Sequence, residues 1–159
     1  MKSALVLYHS VFGNTKSVAQ KLSQGLEAAG LEVKCLSIED VDMSVIPNYD
    51  FIAIGSPTHM IRPSKKMKEF LIRLGKLNLS GLAGFSFDTR NESRMNRRGL
   101  LVLENSAART IEKALKRMKV KIVRSRSSAI VIGREGPLES GVEESFFQLG
   151  REIGSTIAA

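Results

Sequence analysis

The chain has 159 residues, of which 43% are hydrophobic and 25% charged, a composition typical of one globular domain and not of a disordered chain. A single cysteine, Cys35, excludes an internal disulfide framework and a multi-cysteine metal site, and it suits a reducing compartment. The first apolar run, residues 4–8, is too short for a signal-peptide core, and no stretch approaches the roughly 18 apolar residues of a membrane span. We therefore expect one domain over residues 1–159, without a membrane span, in the cytoplasm.

The positive charge is concentrated in one segment. The whole chain carries a formal net charge of +8, with 24 Lys and Arg against 16 Asp and Glu. Residues 90–126 contain twelve of the basic residues and three Glu, a net of +9, so the rest of the chain has a net of −1. Such a segment is either a solvated basic face or a docking surface for an anionic partner.

Strand-like and helix-like segments alternate along the first half of the chain. A short apolar run predicts a first strand over Ala4–Tyr8, and apolar residues spaced four apart predict a helix over Thr15–Ala29. Glu32–Ile38 and Phe51–Ile54 have the composition of a second and a third strand. An amphipathic pattern then predicts a helix over Pro63–Lys76, with its proline at the first helical position, where no N–H is needed.

The alternation continues in the second half. Leu82–Phe87 is predicted to be a fourth strand, followed by a polar, Arg-rich loop to about residue 99. A helix over Ser106–Lys119 and a fifth strand over Ser128–Ile132 follow, and the capping-box pattern Ser140–Glu143 opens a last helix. Five strands alternating with helices predict an α/β fold, a doubly wound parallel sheet with helices on both faces. Ligands of such sheets bind at the carboxyl edge of the strands.

The loop after the first strand, residues 10–15, has the composition of a phosphate cradle. Gly13 lets the backbone approach a ligand closely, while Ser10, Asn14 and Thr15 offer polar side chains beside a helix N-terminus. An ordinary capped turn explains the same residues equally well. The sequence lacks the G-x-x-x-x-G-K-[ST] and G-x-G-x-x-G motifs, which argues against a nucleotide-hydrolysing P-loop and a dinucleotide site.

Later segments make the pattern more specific. Ile54–Thr58, Met67–Leu71, Phe87–Arg90 and Gly133–Leu138 follow in the order in which flavodoxin-domain proteins carry similar segments, and loop 10–15 resembles the flavodoxin phosphate loop. These matches span most of the chain. The resemblance to the flavodoxin family implies the strand order 2-1-3-4-5 and a bound flavin mononucleotide (FMN) at the switch point.

The resemblance also implies the residues of the FMN site. Loop 10–15 would hold the phosphate, the loop after the third strand (residues 55–60) would run along the isoalloxazine ring, and the end of the fourth strand would line the other side of the ring. These residues are, respectively, Ser10, Phe12, Gly13, Asn14 and Thr15; Ser56, Pro57, Thr58, His59 and Met60; and Asp88, Thr89 and Arg90.

The ring end departs from the family pattern. Flavodoxins usually stack an aromatic ring on the flavin, but this chain has no Trp, and neither of its tyrosines lies in a candidate flavin loop. Phe87 is expected to point into the core, which leaves His59 and Met60 as ring neighbours. His9 is predicted to pack locally and Cys35 to be a core thiol, and we predict neither a metal site nor a catalytic residue.

Three functions are compatible with these patterns. The first is an FMN-binding, low-potential electron carrier, whose basic segment would favour an acidic, ferredoxin-like redox partner. The second is an FMN-dependent NAD(P)H or quinone reductase, in which Arg90, Arg94, Arg97 and Arg98 would attract a nicotinamide phosphate. The third is a non-redox protein that binds nucleic acid, which is disfavoured because residues 90–126 contain no aromatic side chain for base stacking.

Overall fold

A computed structural model describes residues 1–59, 62–91 and 106–159. Over these residues the chain alternates between strands and helices in the order expected of an α/β fold. The strands are β1 (Ser3–Tyr8), β2 (Glu32–Ser37), β3 (Phe51–His59), β4 (Arg62–Pro63), β5 (Ala83–Asn91), β6 (Lys121–Ile122) and β7 (Ser127–Val131). The helices are α1 (Asn14–Ala28), a 3₁₀ helix (Met43–Asn48), α2 (Lys65–Leu74), α3 (Ala107–Arg117) and α4 (Val142–Ala158).

The sheet confirms the predicted parallel topology. Its strands are ordered β2-β1-β3-β5, and both β6 and β7 pair with the outer side of β5. Phe87 pairs with Ser127, so β7 occupies the place of the predicted fifth strand. The two-residue β6, in which Lys121 pairs with Ala83, precedes β7 along the same side of β5 and was not predicted. The order is therefore 2-1-3-4-5 in the predicted numbering. The two-residue β4, antiparallel to β3, was not predicted.

Helices cover both faces of the sheet, and β1 shows why. Residues 4–7 of this strand are completely buried, with alternate side chains in two separate cores. Leu5 and Leu7 pack with α2 and α3, whereas Ala4 and Val6 pack with α1 and α4. A strand that is buried on both faces reads as a continuous apolar run, which is the pattern typical of parallel sheets.

Two strands extend further than predicted. Gly55–His59 was expected to be a loop, but β3 continues through these residues because they pair with β5 as far as Pro57 opposite Thr89 and then with β4. The predicted end of the fourth strand at Phe87 was also wrong, because β5 runs on to Asn91 beside β7.

Two predicted helix starts were wrong as well. Pro63 was expected at the first helical position of α2 but lies in β4, and Ser64 caps the helix by accepting the Met67 N–H at 3.2 Å. The pattern at Ser140–Glu143 does not form a capping box. Gly141 is the N-cap of α4 instead, with a positive φ of 88° and no side-chain cap.

Helices α1 and α4 approach each other through glycines. A Cβ built on Gly25 of α1 would overlap the carbonyl oxygen of Phe147, and one built on Gly150 of α4 would overlap that of Leu22. The two backbones can therefore lie this close only because neither position carries a side chain.

We expect Gly25→Ala to lower the free energy of unfolding by about 1–3 kcal/mol, because the added methyl group would force the two helix backbones apart. This loss would exceed the gain of up to about 1 kcal/mol from the higher helix propensity of alanine. Urea denaturation would measure the change, with the exposed Gln24→Ala on the same helix as the control. A Gly25→Ala protein as stable as the wild type would show that the helices are further apart.

Candidate functional site

The candidate site lies where the carboxyl ends of β1, β3 and β5 meet at one edge of the sheet. The His9 backbone N–H donates to the Gly55 carbonyl at 3.1 Å, which joins the end of β1 to β3. The Thr15 and Thr89 hydroxyls lie 2.8 Å apart and join the first turn of α1 to β5. The structure therefore brings together three segments that the sequence singled out separately.

The loop after β1 collects hydrogen-bond donors around one hydroxyl. Ser10 Oγ accepts the Gly13 N–H at 3.1 Å and the Lys16 N–H at 3.3 Å. Gly13 has a φ of 95°, a left-handed conformation that strongly favours glycine, and it is the N-cap of α1 without a side-chain cap. Residues 10–17 contain no carboxylate. Converging N–H groups at a helix N-terminus suit an anion such as a phosphate.

The side chains of the first turn of α1 tie this loop to its neighbours. The Asn14 amide donates to the Glu135 carbonyl at 3.0 Å, which fastens the segment after β7 against the loop. The Thr15 hydroxyl is buried against Thr89 beneath the loop. At the tip of the loop, Val11 and Phe12 are exposed by 52% and 50%. The loop therefore has a polar, braced inner side and an apolar rim.

The end of β3 passes from the protein interior to solvent within four residues. Ser56 is completely buried, Pro57 and Thr58 are half-buried, and His59 is exposed. The Ser56 hydroxyl accepts the Ser64 N–H at 3.2 Å, so it holds the chain that returns through β4 to α2. Of the residues predicted to run along a flavin ring, Pro57, Thr58 and His59 are therefore accessible, and Met60 lies outside the described residues.

A buried carboxylate connects the end of β3 to the start of α3. Asp88 Oδ2 accepts the Thr58 hydroxyl at 2.7 Å and the Ala108 N–H at 3.2 Å, and Thr58 Oγ1 in turn accepts the Ala107 N–H at 3.1 Å. The Asp88 carboxylate thus sits at the N-terminus of a helix, where a negative charge is stabilised.

The same carboxylate is paired with a buried guanidinium. Arg90 Nη2 lies 3.5 Å from Asp88 Oδ2, and their side chains are 2% and 0% exposed. In the part of the chain that the structure describes, the second carboxylate oxygen, Oδ1, is buried without a hydrogen-bond partner. Asp88, Thr89 and Arg90 were predicted in a loop but are buried residues of β5. Asp88 and Thr89 pair with the end of β3 and hold it in place.

Two residues at the site were missed by the sequence analysis. His9 Nδ1 lies 2.7 Å from Ser64 Oγ, so this histidine contacts a residue 55 positions away instead of packing locally as predicted. Burial lowers the pKa of His9, with a further lowering by Lys66 and His59 and an opposing effect of Glu39. The position of His9 directly before Ser10 was the signal that could have indicated it, and Ser64 has the residue type of an N-cap.

Other sequence predictions have mixed outcomes. Phe87 points into the core as predicted, where it is completely buried and packs edge to face on Phe146. Cys35 is half-buried in β2, and burial raises the pKa of its thiol, which disfavours the nucleophilic thiolate. Arg94, Arg97 and Arg98 lie outside the described residues.

Within residues 1–59, 62–91 and 106–159, no group of three or more His, Cys, Asp or Glu side chains lies close enough to hold a metal ion. Among the helices of these ranges, none is long and apolar enough to cross a bilayer.

Comparisons with known proteins agree with this architecture. A flavodoxin from Clostridium saccharobutylicum is 32% identical over 87 residues, 54% of this chain and 54% of that protein. An NAD(P)H dehydrogenase (quinone) from Cupriavidus metallidurans is 28% identical over 102 residues, 52% of this chain and 51% of that protein. The chain thus spans about half the length of these curated relatives.

The similarity of the fold covers the full chain. A solved flavodoxin structure from the domain Archaea superposes with a TM-score of 0.79 at 22% identity, covering 99% of both chains. The sequence model of the flavodoxin family matches residues 6–147, which include the loop after β1, the ends of β3 and β5, and most of the segment after β7. On this match the chain belongs to the flavodoxin family.

Proposed function

We propose that this protein binds FMN and acts as a low-potential electron carrier. The observation that carries the proposal is the loop between β1 and α1, in which Gly13, with a φ of 95°, is the N-cap of the helix and provides no side-chain cap. The loop lacks any carboxylate, and the N-terminus of a helix in such a loop suits a phosphate dianion. When bound, FMN supplies the redox chemistry, and the protein binds and orients it.

The proposed phosphate end consists of the residues of loop 10–15 that the sequence singled out. Ser10, Gly13, Asn14 and Thr15 surround the N-terminus of α1 and present hydroxyl, amide and backbone donors. Phe12 is exposed at the rim, where its ring can shield the cofactor from solvent. The hydroxyl of Thr15 would have to share its proton between Thr89 and the phosphate, so we assign it a smaller contribution than Ser10.

The proposed ring end is formed by the accessible part of β3. Pro57, Thr58, His59 and Met60 are its proposed contacts, and Ser56 holds their strand in place. Asp88, Thr89 and Arg90 remain proposed parts of the site, although their burial favours a supporting role over direct contact with the ring. The Asp88 carboxylate fixes Thr58 and the start of α3 together, which keeps one wall of the ring site rigid.

The charge distribution supports an acidic redox partner for this carrier. On α3 and the residues that follow it, Lys113, Arg117 and Lys121 are exposed. Glu112 partly neutralises this face through Lys116 at 3.6 Å and Arg126 at 3.1 Å. A positive face of this kind accelerates association with an acidic protein at low ionic strength.

The first test is cofactor binding itself. We expect the purified protein to be yellow or to quench the fluorescence of added FMN with a stoichiometry of one FMN per chain. The phosphate contacts should make FMN bind more tightly than riboflavin, which has the same ring without the phosphate. A colourless protein that leaves FMN fluorescence unchanged would refute the proposed function.

Substitutions in the first turn of α1 test the phosphate assignment. We expect Asn14→Ala to weaken FMN binding by about tenfold, the effect of losing one hydrogen bond to a charged group, and Thr15→Ala to weaken it less because the Thr15 hydroxyl is shared with Thr89. Riboflavin binding should change much less. Thr156→Ala, a matched substitution at an exposed position of α4, is the control. Equal weakening of FMN and riboflavin would place the phosphate elsewhere.

A reductase is the second candidate function, since one relative is named NAD(P)H dehydrogenase (quinone). The two candidates differ in steady-state turnover. For an electron carrier, we expect the FMN-loaded protein to oxidise NADH and NADPH, with a quinone as acceptor, far more slowly than about 1 s⁻¹, the low end for typical enzymes. Saturable oxidation within the enzyme range would favour the reductase.

A further inference from the structure

Three hydrogen bonds form a closed ring between the end of β1, the end of β3 and the start of α2. The His9 N–H donates to the Gly55 carbonyl at 3.1 Å, and the Ser64 N–H donates to the Ser56 hydroxyl at 3.2 Å. The ring is closed by the 2.7 Å contact between His9 Nδ1 and Ser64 Oγ. Because Ser10 follows His9 directly, these hydrogen bonds join the proposed phosphate loop to the end of β3, which is proposed to contact the flavin ring.

The hydrogen-bond capacity of Ser64 determines the direction of the His9 contact. The Ser64 hydroxyl accepts the Met67 N–H at 3.2 Å, as the N-cap of α2. It has one proton to donate and is 3% exposed. His9 Nδ1 lies 2.7 Å away, whereas Ser56 Oγ is 3.5 Å away and is placed to donate to Ser64. The satisfied arrangement therefore has Ser64 donating to a neutral imidazole whose proton is on Nε2.

The charged groups around His9 oppose its protonation. Lys66 approaches from α2 and His59 from β3, and both lower the pKa of His9, while Glu39 from the segment after β2 raises it. Glu39 is itself paired with Lys66 at 3.2 Å. The N-terminal end of the α2 dipole adds a further positive potential at this position. Protonation would also place a hydrogen on Nδ1, so this atom could no longer accept the Ser64 proton, and the buried hydroxyl would have to turn its proton away.

We propose that His9 is a positioning residue that couples the phosphate loop to the end of β3 through Ser64. The coupling holds only while the His9 imidazole is neutral. This inference rests on the proposed FMN site. It assigns to His9 no contact with the cofactor. Its consequence is that mild acid loosens the alignment of the two ends of the site and weakens FMN binding.

Two variants of His9 test the coupling. In His9→Asn, the amide oxygen stands in for Nδ1 and can accept the Ser64 proton at any pH, whereas His9→Ala leaves that proton without a partner. At pH 8 we expect His9→Asn to bind FMN like the wild type and His9→Ala to bind it about fivefold more weakly, the effect of one hydrogen bond. Fluorescence quenching between pH 5 and 8 gives both affinities.

The pH profile separates His9 from other titrating groups. The FMN phosphate itself takes up a proton near pH 6, and this effect is common to all variants. We therefore expect wild-type affinity to fall more steeply than that of His9→Asn as the pH drops below about 6.5. His59→Asn removes the neighbouring imidazole and should retain the steeper, wild-type fall. Equal profiles for the wild type and both His9 variants would overturn the proposal.

Unfolding of the FMN-free protein provides a readout that does not depend on the cofactor. The folded pKa of His9 lies below its ordinary value of 6.5, so the unfolded chain binds more protons in the window between the two values. The contribution to stability is thus complete above pH 6.5 and is lost as the pH falls through that window. We expect the urea midpoint of the wild type to fall relative to that of His9→Asn in this window.

If the wild type does not bind FMN, the proposed function fails, and the urea midpoints alone decide whether the His9 coupling exists. Unchanged midpoints of the wild type relative to His9→Asn would refute the coupling.

Discussion

Parallel pairing of β1 with both β2 and β3 is the constraint on which the site depends. Parallel strands end at the same edge of a sheet, so the loops that follow them must converge there. In this chain the convergence is sealed by short polar contacts such as the 2.8 Å approach of Thr15 and Thr89. The apolar residues that form the two cores also determine the register of the strands, because a slip of one residue would move each side chain to the opposite face of the sheet.

The polar groups at this edge belong to two parts of the structure, the loop after β1 and the buried Asp88–Arg90 pair. In the loop after β1, the Ser10 hydroxyl accepts the N–H groups of Gly13 and Lys16 and so holds the turn at the start of α1. Behind the loop, Asp88 and Arg90 form a buried pair that gains little net energy from its charges, since desolvation offsets most of their attraction. Its role is geometric: the carboxylate fixes Thr58 and the first turn of α3 in one arrangement.

The sequence predicted the topology well because periodicity and apolar runs report burial directly. The turn between β1 and α1 was predicted from composition, since a glycine and polar residues follow the apolar run of β1. The ends of β3 and β5 were missed because Gly55–Thr58 and Asp88–Arg90 have the composition of loops. Their strand structure comes from pairing with each other, as at Pro57 and Thr89, and such pairing is not encoded locally.

Local sequence patterns could not predict the contact between His9 and Ser64, for a related reason. The two residues are 55 positions apart, and their proximity follows only from the return of the chain through β4. The start of α4 shows the opposite failure. There a local pattern was present at Ser140, but a glycine in the left-handed conformation took the N-cap position.

The bond from Asn14 to the Glu135 carbonyl bears on how the protein is made. It spans 121 positions, so the loop after β1 acquires this brace only when β7 and the segment behind it have left the ribosome and paired. The proposed phosphate cradle would therefore lack this brace in a nascent chain that ends before β7. On the proposed site, cofactor loading would follow synthesis of nearly the whole chain, and truncation before β7 would leave both the sheet edge and the proposed cradle unfinished.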